Sequence, residues 1–462
     1  MSGWRPGRRS LLAAAAAWPA LAFAQHSPRQ ETVRRQADPG GPPVVFVHGN
    51  GDSSALWINN FWRFETNGYR RNRLFAIDFS HPNARTEDSK PQAFRSSAAD
   101  EMKELAEFVG QVRKTTRQPK VALIASSRGG NIVRGYLKNG EGAASVSHAI
   151  LCGAFPKGIF FSDTHLPGSE FNGAAPFLKG LNSGPDDLVA GVAMMAIRSD
   201  KNDKYCQPDG RFVGMPGKPT GVSYDACELR GGQNVILDGL DHRETAFHKL
   251  AFAAQYEFII GKPPATLFIA QDPLPTLNGR VTGIAPDNSV YTNLPVEGAT
   301  VEIYEVDPQS GERKAGQPSH RKVTAADGQW GPFVARSEAF YEFVLAMPSP
   351  GLPVTHVYRS PFLRSSDVVH LRPQPFDKDD DKAGAVVIMS RPRGYFGVGR
   401  DKFSLDGKVP PGINDGVPGT STGKLPLKAD PRTVMAVFNT EAIAGRTWPV
   451  KGNHVVIAEF MN

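Results

Sequence analysis

Short apolar runs alternate with helix-like segments between residues 43 and 261 of this 462-residue chain. The runs are PVVFVHG, RLFAIDFS, KVALIAS, SHAILCGA, VAMMAIRS and QNVILDG. Near-continuous runs of this kind are typical of strands that are buried on both faces of a parallel sheet. Residues 97–117 place their apolar side chains at helical spacing and end in basic residues. The alternation predicts an α/β fold, with a mostly parallel sheet flanked by helices.

The pattern changes near residue 262, where short strands with alternating side chains and frequent turn residues begin. We expect a β-sandwich over residues 262–375. The strand-like residues 384–462 then form either a third small β-domain or an extension of the sandwich. Four aromatic residues of this part either pack in its core or contact an insoluble substrate: Trp330, Tyr341, Tyr395 and Phe396.

The first 24 residues have the pattern of an export signal. Arg5, Arg8 and Arg9 precede an apolar run, residues 11–24, that ends in Ala-Phe-Ala before Gln25. This order matches a charged segment, a short hydrophobic segment and a cleavage site. The Arg8-Arg9 pair resembles a twin-arginine signal, and an ordinary signal with two arginines is the alternative. We therefore expect a secreted or periplasmic protein.

Composition narrows the classes of function. The chain is 40% hydrophobic and 21% charged, which is typical of a globular protein. Its net charge is +7, but the basic residues are scattered, so nucleic-acid binding is not expected. No later stretch approaches the roughly 18 apolar residues of a membrane span. No Cys/His spacing is typical of a zinc site, and we expect no metal or organic cofactor.

The stretch LIASSRGGN, residues 123–131, joins a predicted strand to a predicted helix and holds two serines. A serine becomes a nucleophile when a base takes its proton and a strained turn presents it at a helix N-terminus. In such a turn the residues two before and two after the nucleophile must be small. Ser127 has Ala125 and Gly129 at these positions, whereas isoleucine and arginine stand there for Ser126. The spacing favours Ser127, although serine and glycine also occur at turns without catalysis.

Two backbone N–H groups are needed to stabilise the oxyanion of acyl transfer. The N–H of Arg128, directly after the candidate nucleophile, is one candidate. The loop HGNG after the first strand supplies the other, which we assign to Asn50, with Gly51 as the alternative. We expect His48 to hold this loop through hydrogen bonds.

The general base and its acid partner are expected later in the chain, in the order Ser, Asp, His. His242 follows the last predicted strand, and its rival is His248 in the next helix, which is predicted over residues 244–260. Asp203 and Asp200 both follow the VAMMAIRS strand. We prefer Asp203 as the acid because an apolar pair and a proline follow it. Asp200 is the alternative acid, with bracing of the loop as its non-catalytic role.

Three cysteines are present. Cys206 and Cys227 lie on either side of a Gly/Pro-rich loop, and we expect them to form a disulfide in an oxidising compartment. The bond would close a loop of about 20 residues and stabilise the fold by roughly 3 kcal/mol. It would also hold the loop of the acid. Cys152 is expected to be a buried free thiol.

Residues 43–261 resemble the bacterial lipases and carboxylesterases of the α/β-hydrolase superfamily. The motifs that carry the resemblance are VHGNG, LIASSRGGN, ILCGAFPKG, RSDKND and GLDH. Alanine replaces the usual first glycine of the nucleophile motif, and Ser126 stands where histidine is common, so substrate preference is not carried over. The site residues that the resemblance implies are the triad Ser127, Asp203 and His242, with backbone oxyanion donors at Asn50 and Arg128.

Two further segments resemble parts of such enzymes. Residues 160–184, broken by Gly and Pro and rich in Phe and Leu, lie where these enzymes insert a lid or acyl-binding cap. A structural loop that covers the core is the alternative. The residues after 262 resemble transthyretin-like β-sandwich modules, which often serve as spacers or surface-binding domains.

These observations predict a secreted serine ester hydrolase, a lipase or carboxylesterase, that works through an acyl-enzyme on Ser127. Its expected partner is a hydrophobic ester, either a lipid or an insoluble polyester. Two alternatives stay open: an amidase or peptidase of the same fold, and a non-catalytic surface-binding protein on a hydrolase scaffold.

Overall fold

A six-stranded sheet, parallel throughout, lies at the centre of the N-terminal region, which we define as residues 36–261. The computed structural model describes residues 36–413 and 415–462, so the predicted export signal lies outside the described residues. The sheet order is β2-β1-β3-β4-β5-β6. Each of the six strands overlaps a run predicted as a strand, and the predicted parallel sheet is confirmed. The strands are β1 (Val44–Val47), β2 (Leu74–Ala76), β3 (Val121–Ser126), β4 (Val146–Cys152), β5 (Ala193–Ser199) and β6 (Gln233–Leu237).

Helices connect these strands. The longest, α2, begins at a capping box in which Ser97 Oγ accepts from the Asp100 N–H and the Asp100 carboxylate accepts from the Ser97 N–H. The predicted helix over residues 244–260 is divided in two, because His248 has an extended ψ of 151° and caps the second part. The helices are α1 (Ile58–Thr66), α2 (Ala98–Thr116), α3 (Arg128–Asn139), α4 (Gly142–Ser145), α5 (Pro176–Leu181), α6 (Glu244–Phe247) and α7 (Lys249–Ile260).

Apolar layers cover both faces of the parallel sheet. Val45 and Val47 of β1 belong to the layer that contains α2 and α3 side chains. Val44 and Phe46 belong to the opposite layer, with α1 and α7 side chains. Successive side chains of a strand point to opposite faces, so a strand that is covered on both faces needs apolar residues throughout.

The C-terminal β region, residues 262–462, is built around a seven-stranded sheet with the order β11-β10-β13-β14-β20-β15-β17. Its neighbouring strands are antiparallel except that β20 runs parallel to both β14 and β15. The predicted all-β character of this region is confirmed. Its strands are β7 (Thr276–Leu277), β8 (Thr282–Ile284), β9 (Tyr291–Pro295), β10 (Thr300–Val306), β11 (His320–Val323), β12 (Phe333–Val334), β13 (Phe340–Ala346), β14 (Val354–Arg359), β15 (Ala385–Ser390), β16 (Phe403–Leu405), β17 (Thr422–Leu427), β18 (Thr433–Phe438), β19 (Glu441–Arg446) and β20 (His454–Glu459).

The seven-stranded sheet takes strands from both predicted C-terminal parts. β14 comes from residues 262–375, whereas β15, β17 and β20 come from residues 384–462. The two parts therefore share one sheet, and the exact domain boundaries stay predictions.

The C-terminal β region packs directly against α1. Ile58 and Trp62 of that helix share an apolar cluster with Leu277 and Phe343 of the β region. The indole N–H of Trp62 also donates to the Ser365 carbonyl at 3.0 Å. None of the helices within residues 36–462 combines the length and the apolar character needed to cross a bilayer. All four aromatic residues considered for substrate contact are buried: Trp330, Tyr341, Tyr395 and Phe396.

Candidate active site

Ser127 lies at a sharp turn between β3 and α3, with φ of 52° and ψ of −122°. A positive φ is rare for a residue with a side chain and marks local strain. The Ser127 N–H donates to the Cys152 carbonyl at 2.8 Å, which holds the turn. A Cβ at Gly129 would lie 2.5 Å from the His48 carbonyl oxygen, and one at Gly49 would lie 2.9 Å from Ser127 Cβ. Small residues are therefore required around this serine.

The two adjacent serines occupy different environments. Ser127 lines a cavity, whereas Ser126 ends β3 and is buried, and its Oγ has no hydrogen-bond partner among the described residues. Within this pair, only Ser127 is accessible to a substrate.

His242 and Asp203 are brought together in the loops after β6 and β5. A hydrogen bond of 2.9 Å joins His242 Nδ1 to Asp203 Oδ2, and both residues are buried. The second carboxylate oxygen of Asp203 accepts from the Tyr205 N–H at 2.9 Å. Asp200, in contrast, accepts from the N–H groups of Asn202 at 3.0 Å and Gly239 at 3.2 Å. The structure thus places Asp203 at the imidazole, whereas Asp200 braces its own loop and joins it to the loop that carries His242.

Aromatic rings fix the plane of the His242 imidazole. The Phe155 ring is stacked on it at 5.2 Å with an interplanar angle of 13°, and the Tyr205 ring lies edge-on at 4.8 Å. Gly153 leaves the room that the imidazole needs, since a Cβ there would lie 3.1 Å from His242 Nδ1. The imidazole therefore has little freedom to turn away from Asp203.

Ser127 and His242 line the same cavity, which has a volume of about 100 Å³. Within the described part of the chain, no hydrogen bond joins Ser127 Oγ to the imidazole. Such bonds are often long in enzymes without substrate and shorten when substrate binds. The other residues that line the cavity are Asn50, Asp52, Phe155, Ile159, Phe171, Tyr205, Arg243 and Tyr395.

The loop after β1 presents Asn50 to the cavity. The Gly51 N–H donates to the Pro82 carbonyl at 2.9 Å, so this amide is already engaged. Asn50 Oδ1 accepts from the Ala84 N–H at 2.7 Å, which fixes the loop. On the other side of the cavity, the Arg128 N–H belongs to the first turn of α3, where N–H groups have no partner within the helix. This geometry favours Asn50 over Gly51 as the second oxyanion donor.

His48 holds this loop from inside the protein. Its Nδ1 lies 2.8 Å from the Gly49 carbonyl oxygen, and its Nε2 accepts from the Phe79 N–H at 3.1 Å. Burial lowers the pKa of His48, so the ring is neutral. Both nitrogens are engaged with the backbone, which leaves the ring a structural role.

The Arg128 side chain forms a buried ion cluster that the sequence did not reveal. Its guanidinium contacts the carboxylates of Glu101 and Glu170, and Nη2 lies 2.8 Å from Glu170 Oε2. Burial raises the pKa of Glu101 to about 8, although Arg128 opposes the shift. Glu170 lies in the predicted lid segment, residues 160–184, so this segment is tied to the turn that carries Ser127.

A second buried ion cluster joins the His242 loop to the C-terminal β region. Arg391 Nη1 lies 2.8 Å from Asp241 Oδ2, and Arg400 Nη1 lies 2.9 Å from Glu244 Oε2. The guanidinium of Arg391 also contacts the Glu244 carboxylate. The partners are about 150 positions apart in the chain, and no local sequence signal links them.

Cys206 and Cys227 are buried neighbours. Their Sγ atoms lie 3.6 Å apart and both are free thiols, so the predicted disulfide bond is not formed in this structure. The distance is longer than the roughly 2.05 Å of a bond between two sulfur atoms. The pairing stays a prediction. Both thiols lie within 4.8 Å of the Asp203 carboxylate, but that carboxylate already bonds His242. Cys152 is buried and free, as expected.

Two family models match the chain. Residues 41–154 match the model described as lipase (class 2), and residues 275–376 match the lipase C-terminal domain. The first match spans the loop after β1 and Ser127. The second lies within the C-terminal β region.

Solved structures with a similar architecture include lipases and esterases. The chain is 21% identical to the mature form of Bacillus licheniformis lipase BlEst2, with a TM-score of 0.36 over 48% of this chain and 94% of that one. The propeptide form of the same lipase gives 18% identity and a TM-score of 0.36 over 68% and 76%. The carboxylesterase CesB of Bacillus subtilis gives 15% identity and a TM-score of 0.29 over 49% and 86%.

The two family matches agree with the architecture, in which a parallel sheet with a strained serine turn is followed by an all-β region. The expected resemblance is confirmed: on an α/β-hydrolase fold, the chain carries a match to the lipase (class 2) model and a match to the lipase C-terminal domain, and these matches support a hydrolase that acts on esters.

Proposed function

We propose that this protein is a secreted serine ester hydrolase that works through an acyl-enzyme on Ser127. The observation that carries the proposal is the hydrogen bond of 2.9 Å between Asp203 and His242, in a cavity that the strained Ser127 also lines. A nucleophile, a base and an acid that orients the base are the parts that acyl transfer requires.

In the proposed reaction, Ser127 Oγ attacks the ester carbonyl while His242 Nε2 takes the hydroxyl proton. The tetrahedral oxyanion is stabilised by the N–H groups of Arg128 and Asn50. The imidazolium returns the proton to the leaving alcohol, which departs as the acyl-enzyme forms. Water then attacks the acyl-enzyme by the same steps, with His242 as base, and releases the carboxylic acid. Asp203 holds the imidazole tautomer in which Nδ1 carries the proton.

The test compares turnover of p-nitrophenyl esters by the wild type, Ser127→Ala and Ser126→Ala. We expect the first variant to lose turnover and the second to retain it, because Ser126 Oγ is buried in the core. Equal turnover by wild type and Ser127→Ala would contradict the proposal. A matched series of p-nitroanilides measures the competing amidase activity. No turnover of any ester by the wild type would favour a non-catalytic surface-binding protein.

Asparagine substitutions test the choice of acid. Asp203→Asn should lower kcat by about 10⁴-fold, because an amide cannot hold the required tautomer. Asp200→Asn should retain most of its kcat, since Asp200 bonds backbone N–H groups of Asn202 and Gly239 and not the imidazole. The reverse ranking would make Asp200 the acid.

The proposal includes export, which is supported by the signal-like pattern of residues 1–24. Expression of the full chain in a bacterial host with twin-arginine export should yield a periplasmic or secreted form that begins at Gln25. Replacing Arg8 and Arg9 with lysine should retain the protein in the cytoplasm if the twin-arginine route is used. Export that survives this change would favour an ordinary signal peptide.

A further inference from the structure

Tyr395 lines the catalytic cavity, although it lies in the C-terminal β region. It is 5% exposed and comes from the segment between β15 and β16. The other residues that line the cavity belong to the N-terminal region. The C-terminal β region therefore supplies one wall of the cleft.

The backbone of Tyr395 is held at this wall by the ion cluster beside His242. Its N–H donates to Asp241 Oδ2 at 2.7 Å. Its carbonyl oxygen accepts from Arg391 Nη1 at 2.7 Å and from Arg400 Nη2 at 2.8 Å. Asp241 is fully buried and directly precedes His242. The position of Tyr395 is thus fixed by main-chain bonds that do not depend on its side chain.

The ring of Tyr395 lies against the neighbours of two triad candidates. Lys204 Nζ, next to Asp203, is 4.0 Å from the ring centroid. The guanidinium carbon of Arg243, next to His242, is 5.2 Å from the same centroid. Cation–ring contacts at these distances are attractive, more so away from water. The ring is therefore held in place as well as the backbone.

The cavity that this ring helps to enclose is small. Its volume of about 100 Å³ is below the roughly 300–1,000 Å³ of clefts that bury drug-sized ligands. Aromatic and aliphatic side chains from four other positions, Phe155, Ile159, Phe171 and Tyr205, complete the apolar part of the wall. The space beside Ser127 is therefore narrow, and a bulky ester group would meet the Tyr395 ring there.

We propose that Tyr395 is a specificity-determining residue that limits the bulk of the ester group reaching Ser127, so that the enzyme prefers esters of small substituents. This inference rests on the proposed function. It assigns the C-terminal β region a direct part in substrate selection, because it supplies a wall of the cleft rather than a spacer or a remote surface.

The test measures kcat/KM along two ester series, one with acyl chains of increasing length on p-nitrophenol and one with acetates of increasingly bulky alcohols. The proteins are the wild type, Tyr395→Ala, Tyr395→Phe and Phe268→Ala. Phe268 is 80% exposed and does not line the cavity, so it controls for loss of an aromatic ring elsewhere. Melting temperatures are recorded for each protein.

We expect the wild type to favour the smallest members of both series. Tyr395→Ala should raise the ratio of kcat/KM for large over small esters by about tenfold or more in at least one series. This is the size of change that one or two methylene groups of a substrate cause in an apolar pocket. Tyr395→Phe and Phe268→Ala should keep the wild-type ratio, because neither changes the size of the wall.

An unchanged ratio in Tyr395→Ala along both series would overturn the inference. An equal loss of activity on every ester at an unchanged melting temperature would also overturn it. Removing a residue that limits substrate bulk should change kcat/KM by an amount that depends on the size of the ester. These outcomes differ from failure of the proposed function, in which Ser127→Ala turns over the same esters as fast as the wild type.

Discussion

Arg128 Nη2 lies 2.8 Å from Glu170 Oε2, so the first residue after the candidate nucleophile is bonded to the middle of the predicted lid segment. Both side chains are almost fully buried. Removing this buried guanidinium would leave two buried acid side chains without the group that hydrogen-bonds them and offsets their charge. The pair therefore links the turn at Ser127 to residues 160–184, and we expect this segment to stay attached at Glu170 in any lid movement.

Replacing the Arg128 side chain tests this link. Arg128→Met should lower the free energy of unfolding by about 3–5 kcal/mol, the usual effect of removing one partner of a buried ion pair. The backbone N–H proposed as an oxyanion donor is retained in this variant. Urea denaturation provides the measurement, with Arg70→Met as a control that removes an exposed ion pair with Asp38. Equal stability of the two variants would contradict the role of the cluster.

The raised pKa of the buried Glu101 carboxyl group predicts that the free energy of unfolding depends on pH. Its pKa is raised by burial to about 8 in the folded protein, against 4.5 as its ordinary value. Between these pH values the folded state holds a proton on Glu101 that the unfolded state releases. The stability that this group contributes is therefore full below pH 4.5 and is lost as the pH rises to about 8. The slope from this group is at most about 1.4 kcal/mol per pH unit.

Glu101→Gln should flatten this part of the stability curve, whereas Glu107→Gln, an exposed change on the same helix, should not. Chemical denaturation at a series of pH values between 4.5 and 8 measures both. If the free energy of unfolding of Glu101→Gln still falls between pH 4.5 and 8, another group causes the pH dependence.

Arg391 is expected to act on His242 through Asp241. Arg391→Met removes a positive charge from a fully buried carboxylate, Asp241, next to the proposed base His242. Arg400 then remains as the cationic partner of Asp241, so less positive charge offsets this carboxylate beside the imidazole. The acidic limb of the kcat/KM profile should then move to higher pH, and Arg391→Lys should restore part of the shift.

If Arg391 has a purely structural role, the acidic limb of the kcat/KM profile should not move in Arg391→Met. Arg432→Met provides the comparison, because Arg432 pairs with Asp406 and does not contact the His242 loop. If Arg391→Met lowers stability but its pH profile matches the wild type, the cluster only supports the fold.

The two buried thiols near Asp203 allow the predicted disulfide to be tested. Thiol titration in denaturant should find one free thiol in protein isolated from an oxidising compartment and three after reduction. The oxidised form should be more stable by roughly 3 kcal/mol, because the bond closes a loop of about 20 residues. Three free thiols before reduction would show that Cys206 and Cys227 remain unpaired.

The sequence predicted those features that depend on local pattern. Apolar runs predicted the six parallel strands because such strands are covered on both faces. The steric requirement around the turn selected Ser127 over Ser126, and the structure shows its cause in the close approach of Gly129 to the His48 carbonyl. The single predicted helix after His242 was wrong in one respect, because His248 divides it.

Features that depend on distant pairing could not be predicted. β20, at the end of the chain, pairs between β14 and β15, and apolar alternation alone carries no information about that neighbour. Tyr395 and Arg391 reach the His242 loop across about 150 residues, and each is an ordinary residue in its own segment. The Arg128 cluster was missed for the same reason, since its partners come from α2 and from residues 160–184.

The central claim, that Ser127 is the nucleophile, is tested most directly by locating a covalent label. The mature protein is treated with a fluorophosphonate, digested and analysed by mass spectrometry, alongside Ser126→Ala and Ser127→Ala. We predict that the label is on Ser127 in the wild type and in Ser126→Ala, and that Ser127→Ala takes up none. A label on Ser126, or labelling that persists in Ser127→Ala, would contradict the account.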